Sequence, residues 1–187
     1  MAKRRQKRWI RDWQMNAIYQ NIQALTINNP KIIYFTSPTS SKKQALVGMT
    51  LAKTLAKNKT KVLYYNVYAK TSFVDRYLPK SSNVMSEKSH QIHRTLHRGV
   101  DRLQMKTSAH GLHSFESLVK EWKEFYAYIF IDAYGPFQNE WAQTMLDQSD
   151  EVILYAKHMK TRKRKLSEAK QHIERRNKKI LGVIYEQ

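Results

Sequence analysis

Residues 31–56 read KIIYFTSPTSSKKQALVGMTLAKTLA. The run Ile32-Ile33-Tyr34-Phe35 is short, almost wholly apolar and bounded by polar residues. That pattern predicts a strand over Lys31–Phe35 buried on both faces, as in a parallel sheet. Thr36 to Lys43 is polar and predicts a loop. From Ala45 to Lys57 the residues Ala45, Met49, Ala52 and Ala56 recur at helical spacing and predict a helix with one inward side. Lys61 to Tyr65 then supplies a second strand. Strand, loop, helix and strand in this order form a βαβ unit, which implies a parallel sheet and a right-handed crossover.

The same alternation extends along the chain. Before the first strand, Met15, Ile18, Ile22 and Leu25 predict a helix over Trp13–Leu25, ended by Asn28-Asn29-Pro30. After the second strand, residues 66–113 carry little periodicity, with a short strand expected at Leu103-Gln104-Met105. Phe115, Leu118, Val119 and Trp122 predict an amphipathic helix from Ser114, its expected cap, to Phe125. Tyr128–Ile131 reads as a buried strand closed by Asp132, Trp141–Leu146 as a short helix and Glu151–Tyr155 as a strand. Thr161–Arg176 reads as a helix with Leu166, Ala169 and Ile173 inward and a basic outer face, and Ile180–Tyr185 as the last strand. The expected architecture is a mostly parallel α/β sheet with helices on both faces. Residues 1–12 form a basic N-terminal arm and residues 13–187 a single domain.

Composition limits what such a domain does. The chain has 187 residues and no cysteine, so disulfides, thiolate metal sites and a cysteine nucleophile are excluded. No apolar run approaches the roughly 20 residues of a membrane-spanning helix, and the basic N-terminus has no apolar segment of a secretory signal. A cytosolic protein is expected. The formal net charge is +19, concentrated in Lys3-Arg4-Arg5-Gln6-Lys7-Arg8 and between Lys157 and Lys179. Such a field attracts polyanions: nucleic acid, anionic lipid headgroups or an acidic partner. Alternatively, it is a solvated surface that maintains solubility.

In an open α/β sheet ligands bind beyond the carboxyl ends of the strands, which singles out residues 36–44, 66–70 and 132–136. These loops carry a family resemblance. Residues 33–56 are similar to the segment TSPxPGEGKSTxxxNLAxxLA of bacterial tyrosine kinases of capsule and exopolysaccharide synthesis. KVLYYNVYAK at 61–70 resembles their KVLLIDADxR, and YAYIFIDAYGP at 126–136 resembles YDYIIIDTPP. Residues 151–184 resemble DGVLLVVRxGKTRKxxLxxAxxxLxxxxxxILGVVLN, most strongly at Lys160-Thr161-Arg162-Lys163 and Ile180-Leu181-Gly182-Val183. Septum-positioning and chromosome-partitioning ATPases of the MinD/ParA type are more distant relatives. The resemblance spans residues 14–185 and implies a three-layer α/β/α P-loop NTPase-like fold with a mostly parallel central sheet.

The departures from that pattern bear on chemistry. A phosphate loop needs glycines to curl its N–H groups around the β-phosphate. Ser41 and Lys43 stand at the two glycine positions, with Ser40 and Lys42 beside them. The phosphate-binding lysine corresponds to Gln44, and the magnesium-binding hydroxyl to Ala45. Removing one charge-assisted hydrogen bond costs about 1.5–3 kcal/mol. In the second loop the family's paired aspartates correspond to Asn66 and Tyr68, and its arginine to Lys70. Asp132 survives as a Walker B-like carboxylate; its bland alternative is a strand-end cap or a partner for a surface lysine. The family's N-terminal Glu-x-x-Arg-x-x-Arg motif would fall near Trp13, Asn16 and Tyr19, which do not match. The chain also ends at Gln187 without the family's C-terminal tyrosine cluster, Tyr185 falling inside the last strand.

Magnesium-ATP chemistry is therefore disfavoured, no catalytic residue is assigned with Asp132 the one candidate, and no metal or other cofactor is expected. Ser40, Ser41, Lys42, Lys43, Gln44 and Ala45 remain a candidate weak, metal-free anion or nucleotide site at a helix start, or that start is self-capped. His90, His93 and His97 fall at helical spacing for a metal, but Arg94 and Arg98 between and beside them favour a solvated basic helix face. The His110–His113 pair is weaker. Trp13 is expected to pack on the domain; Trp9 reads either as that or as part of an interfacial arm. The resemblance implies a regulatory or scaffolding subunit of polysaccharide biosynthesis, peripheral at the inner membrane face. Its partner would be a membrane activator or an intact homologous kinase, with anionic lipid nearby. The alternatives are non-specific DNA binding and kinase or ATPase activity at a non-standard site.

Overall fold

The computed structural model of the chain describes residues 12–25, 31–39, 42–58, 60–67, 71–86, 90–105, 112–133 and 140–186. The buried apolar run at the start of the quoted stretch is strand β1 (Lys31–Thr36), and the helix after it is α2 (Lys42–Leu55). Around them stand α1 (Asp12–Leu25), β2 (Val62–Asn66), α3 (Thr71–Tyr77), β3 (Lys80–Ser86), β4 (His90–Thr95) and β5 (Val100–Met105). The chain continues with α4 (Leu112–Phe125), β6 (Tyr128–Asp132), α5 (Glu140–Gln148), β7 (Glu151–Lys157), α6 (Lys163–Arg175) and β8 (Lys179–Glu186).

One sheet contains the eight described strands in the order β3-β4-β5-β2-β6-β1-β7-β8. Pairing is parallel from β5 across to β8, and antiparallel between β3, β4 and β5. Because side chains alternate along a strand, β1 sends Ile33 and Phe35 to one face and Ile32 and Tyr34 to the other. The first face is covered by α1, α2 and α3, through Ile18, Ile22, Met49, Leu51, Val74 and Leu78. On the second lie α4, α5 and α6, through Phe115, Trp122, Met145, Leu146, Ala169 and Ile173. The fold is thus a three-layer α/β/α sandwich, as expected. Full burial of each such side chain contributes about 1.5–3 kcal/mol, so the two faces together supply most of the driving force.

Gly182 explains how α1 seats. A Cβ there would lie 2.4 Å from Ile18 Cδ1, so the missing side chain is the space that Ile18 fills. Asn21 Nδ2 also donates to the Leu181 carbonyl at 2.9 Å. The helix expected over 161–176 is α6, which starts two residues later at Lys163 and is followed by Asn177 in the left-handed region at φ 55°. Asparagine tolerates that geometry better than most residues.

Several expectations need correction. Residues 90–95 are a strand, not a helix. Spacing of three on a strand sends His90 and His93 to opposite faces, and His97 lies beyond the strand end, so the three imidazoles do not converge. Among the described residues no group of three metal-ligating side chains is found. Neither His90 nor His93 is solvated: His90 packs edge-on against Trp122 at 5.5 Å between centroids. Burial first, then Lys80 and Arg102, hold His93 below the usual histidine pKa. β3 was not expected either, and the strand at Leu103–Met105 begins earlier, at Val100. Helix α4 begins at Leu112, which moves its start two residues ahead of Ser114. Helix α2 likewise starts three residues before Ala45, so Lys42 and Lys43 are helical rather than loop residues. Residues 1–11, with the arm and Trp9, and residues 26–30 and 106–111 lie outside the described residues.

The packing of α1 can be tested. Gly182→Val should dislodge Ile18 and destabilise the fold by about 1–3 kcal/mol, seen as a lower urea midpoint. An unchanged midpoint would show that α1 does not depend on this seat.

Candidate functional site

Parallel strands deliver their carboxyl ends to one side of the sheet, and the first βα turn leaves from β1 there. Asp132 ends β6, Asn66 ends β2, and their registers match directly (Asn66 opposite Asp132, Phe35 opposite Asp132). Three backbone bonds continue the alignment past the strands: Val67 N–H to the Asp132 carbonyl at 3.0 Å, Ala133 N–H to the Phe35 carbonyl at 2.9 Å, and Asp150 N–H to the Ile32 carbonyl at 2.9 Å at the other end. The first two fix Asp132 against the start of α2.

Asp132 is fully buried, at 0% exposure, and its side chain accepts from neutral donors. Gln44 Nε2 donates to Oδ1 at 2.8 Å; Tyr64 Oη–H and Asn66 Nδ2 donate to Oδ2 at 2.6 and 2.9 Å. Gln44 is itself at 0% exposure, and its Nε2 also donates to the Ala133 carbonyl at 2.8 Å and lies 3.4 Å from the Phe35 carbonyl. Three oxygens around that nitrogen fix which way the amide faces. Its Oε1 is buried without a hydrogen-bond partner. Gly48 is part of the same enclosure: a Cβ there would lie 2.9 Å from Asp132 Oδ2. Helix α2 therefore lies directly on the carboxylate, and Ala45, also at 0% exposure, adds no polar group.

Lys43 turns the other way. Its ammonium pairs with Glu186, the last residue of β8, which is buried and also accepts from the Tyr155 hydroxyl. Lys157 Nζ lies 3.6 Å from the same carboxylate. Burial pushes the Glu186 carboxyl upward, but the hydrogen bonds from Lys43 and Tyr155 and the Lys157 and Lys43 charges outweigh it, so its pKa lies below the ordinary 4.5. Next to this cluster the turn after β7 is tied to the loop after β1. Thr161 Oγ1 accepts from the Lys157 N–H at 2.9 Å and hydrogen-bonds Thr39 Oγ1 at 3.0 Å. Within that turn Met159 is 93% exposed and left-handed at φ 57°, where the resembled motif carries a glycine. A non-glycine residue in that geometry costs roughly 1–2 kcal/mol.

Of the residues singled out in the sequence, the structure brings together Gln44, Asn66 and Asp132, with Ala45 buried alongside and Lys43 directed to Glu186. Lys42 begins α2. Ser40, Ser41, Tyr68 and Lys70 lie outside the described residues. Sequence reasoning missed Tyr64, Tyr155, Thr161 and Glu186. A signal existed for the first, since Tyr64 and Asn66 are two apart on one strand and so share a face. The Tyr155–Glu186 contact depends on β7 and β8 being neighbours and the Thr161–Thr39 contact on β7 lying beside β1, which no local pattern states. The arrangement can hold a buried carboxylate and tie loops together; the cationic groups described near it, Lys43 and Lys157, are held by Glu186.

No family model matches this sequence, and no curated protein matches it. Solved structures do resemble it. The chimerical protein CapA2B2 superposes with a TM-score of 0.73 at 18% identity, over 92% of this chain and 83% of that one. The kinase domain of the Escherichia coli tyrosine kinase ETK gives 0.71 at 17% identity, covering 92% and 74%. The septum site-determining protein MinD from Pyrococcus horikoshii OT3, complexed with Mg-ADP, gives 0.65 at 18% identity, covering 82% and 69%. These likenesses establish the P-loop NTPase-like fold.

Two measurements probe the site. Asp132→Ala should remove the acceptor that Gln44, Tyr64 and Asn66 share and destabilise the protein by roughly 1–3 kcal/mol, read by urea denaturation; an unchanged midpoint would mean the carboxylate is not structural. For Glu186, the lowered pKa means its contribution is complete above the ordinary carboxylate value of 4.5 and is lost as pH falls through the folded value. Glu186→Gln should therefore lower stability at neutral pH and flatten the loss on acidification below that value, as followed by thermal melts across pH.

Proposed function

We propose that this protein is a degenerate relative of the capsular and exopolysaccharide tyrosine kinases that acts as a regulatory or scaffolding subunit rather than as a kinase. The observation that carries this reading is the Gln44 side chain. At the position of the phosphate lysine stands an amide whose N–H groups are spent inside the protein, on Asp132 and the Ala133 carbonyl. The atom left over, Oε1, is an acceptor, and an acceptor repels phosphate oxygens. Ala45 offers magnesium no ligand. Asn66 presents an amide donor to Asp132, where a metal-binding pair would need a second carboxylate. Lys43 is held by Glu186. These residues do not fit Mg-ATP. A phosphoryl-transfer site works by placing cations on the transferred group. Here buried neutral donors fill that place.

The same reading makes residues 13–187 one domain, with residues 1–12 as a basic arm, and locates the protein in the cytoplasm at the inner membrane face. Support comes from charge and shape. No helix among the described residues is long and apolar enough to cross a membrane, so attachment would be peripheral. Met159 projects from a turn flanked by Lys157, Lys160, Arg162 and Lys163, an apolar tip within a cationic ring. Each basic side chain near an anionic leaflet contributes about 1 kcal/mol. The partner on this reading is a membrane activator or an intact homologous kinase. A second reading, non-specific DNA binding, draws on the exposed Lys163, Arg164, Lys165, Lys170 and Arg175 of α6. Two of those, Arg164 and Lys170, are each paired with a glutamate one turn on, which weakens that surface as a phosphate track.

Calorimetry with Mg-ATP at millimolar concentration should give no saturable heat, and label from ATP should not transfer to the protein. Saturable Mg-ATP binding that Asp132→Asn abolishes would overturn the reading. Co-sedimentation should favour vesicles of anionic phospholipid over duplex DNA at physiological salt, and Met159→Ser should weaken it. The reverse preference would point to the DNA reading.

A further inference from the structure

The opposite end of the sheet carries a feature that the nucleotide end does not explain. A groove of about 1050 Å³ opens at the amino-terminal ends of β2 and β5, between the β3–β4–β5 edge and the end of α4. Three of the large apolar side chains most open to solvent line this one groove: Leu96 at 71%, Phe125 at 54% and Val84 at 44% exposure. A scattered exposed apolar residue needs no explanation, but three around one concavity do. Below them, buried Ile92 and Trp122 line the groove, and the Trp122 indole N–H is buried without a hydrogen-bond partner.

The charged lining is mainly cationic: among the described residues Lys57, Lys61, Arg94 and Arg98 stand with one carboxylate, Asp101, which already accepts from the Tyr126 hydroxyl at 2.9 Å. Apolar surface set among cations recognises a ligand that combines large apolar groups with negative charge. The chain's own arm, Lys3-Arg4-Arg5-Gln6-Lys7-Arg8, has the same sign as the groove. A second copy, at net charge +19, is repelled as a whole. A small ligand would cover the floor and leave Leu96 and Phe125 in water, whereas a polypeptide segment covers floor and rim together.

We infer that this groove docks an acidic segment of a partner protein, with aromatic or aliphatic side chains seated over Ile92 and Trp122 and carboxylates against Arg94, Arg98, Lys57 and Lys61. The site stands apart from Asp132, and its occupation needs no nucleotide. Charge complementarity of this kind speeds encounter and excludes basic competitors, while the apolar anchors hold the complex.

The probe is a set of short fluorescein-labelled peptides in which Phe or Leu alternates with Glu, added to the full-length protein and followed by fluorescence anisotropy. The acidic peptides should bind, with affinity falling as salt is raised, and peptides with Lys in place of Glu should not. Phe125→Ser and Leu96→Ser, both at exposed positions, should keep the circular dichroism of the parent and weaken binding about tenfold or more. Arg94→Glu with Arg98→Glu should abolish it. Binding that survives all of these substitutions would overturn the inference. So would failure of every acidic peptide, or capture of oleate or anionic vesicles in their place with the same dependence on Phe125 and Leu96.

Discussion

A carboxylate at 0% exposure must find its hydrogen-bond donors inside the protein, and the fold at the carboxyl ends of the strands is arranged around that demand. Asp132 takes donors from three side chains on two elements at once: Gln44 of α2, and Tyr64 and Asn66 of β2. Because β6 lies between β1 and β2, these bonds tie the start of α2 to the strands on both sides of Asp132. Gly48 permits this closeness, since any side chain there would collide with Asp132. One buried carboxyl group thus holds helix α2 close and leaves no room for a side chain at Gly48.

A second buried carboxylate organises the neighbouring edge in a different way. Glu186 is met by ammonium groups, Lys43 and Lys157, as well as by the Tyr155 hydroxyl. Neutral donors around Asp132 and cations around Glu186 divide the side of the sheet where phosphate would sit. On the proposed reading, Lys43, in the first turn of α2, has been redirected to a structural role. The Thr39–Thr161 contact then links the loop after β1 to the turn after β7, so the two carboxylates stand in one connected framework.

Surface charge is distributed by the same topology. The α6 face and the Met159 turn project cations from one edge of the sheet, and the groove between β3–β5 and α4 carries others at the far edge and opposite end. The first lies beside the carboxyl ends of the strands, where Thr161 meets Thr39, and the second at the amino-terminal ends of β2 and β5. On the proposed reading, that separation lets two partners be engaged at once.

Much of this was legible in residues 31–56 and their repeats further on. Apolar runs flanked by polar loops identified β1, β2, β6, β7 and β8, and helical spacing identified α1, α2, α4, α5 and α6, because burial on a parallel sheet leaves a strong periodic trace. The substitutions at Gln44, Ala45 and Asn66 were also visible, being changes of residue type in a known pattern. The edge β3–β4 was not, since strands near an edge bear mixed polar residues, and histidines three apart read equally well as one helix face. Nor could the sequence say what Gln44, Lys43 or Glu186 touch. Those contacts join residues 88 and 143 positions apart, and only the strand order brings β6 beside β1 and β8 beside β7. Residue types decided which side chains stand at the positions of the resembled pattern; packing of distant strands decided what each of them touches.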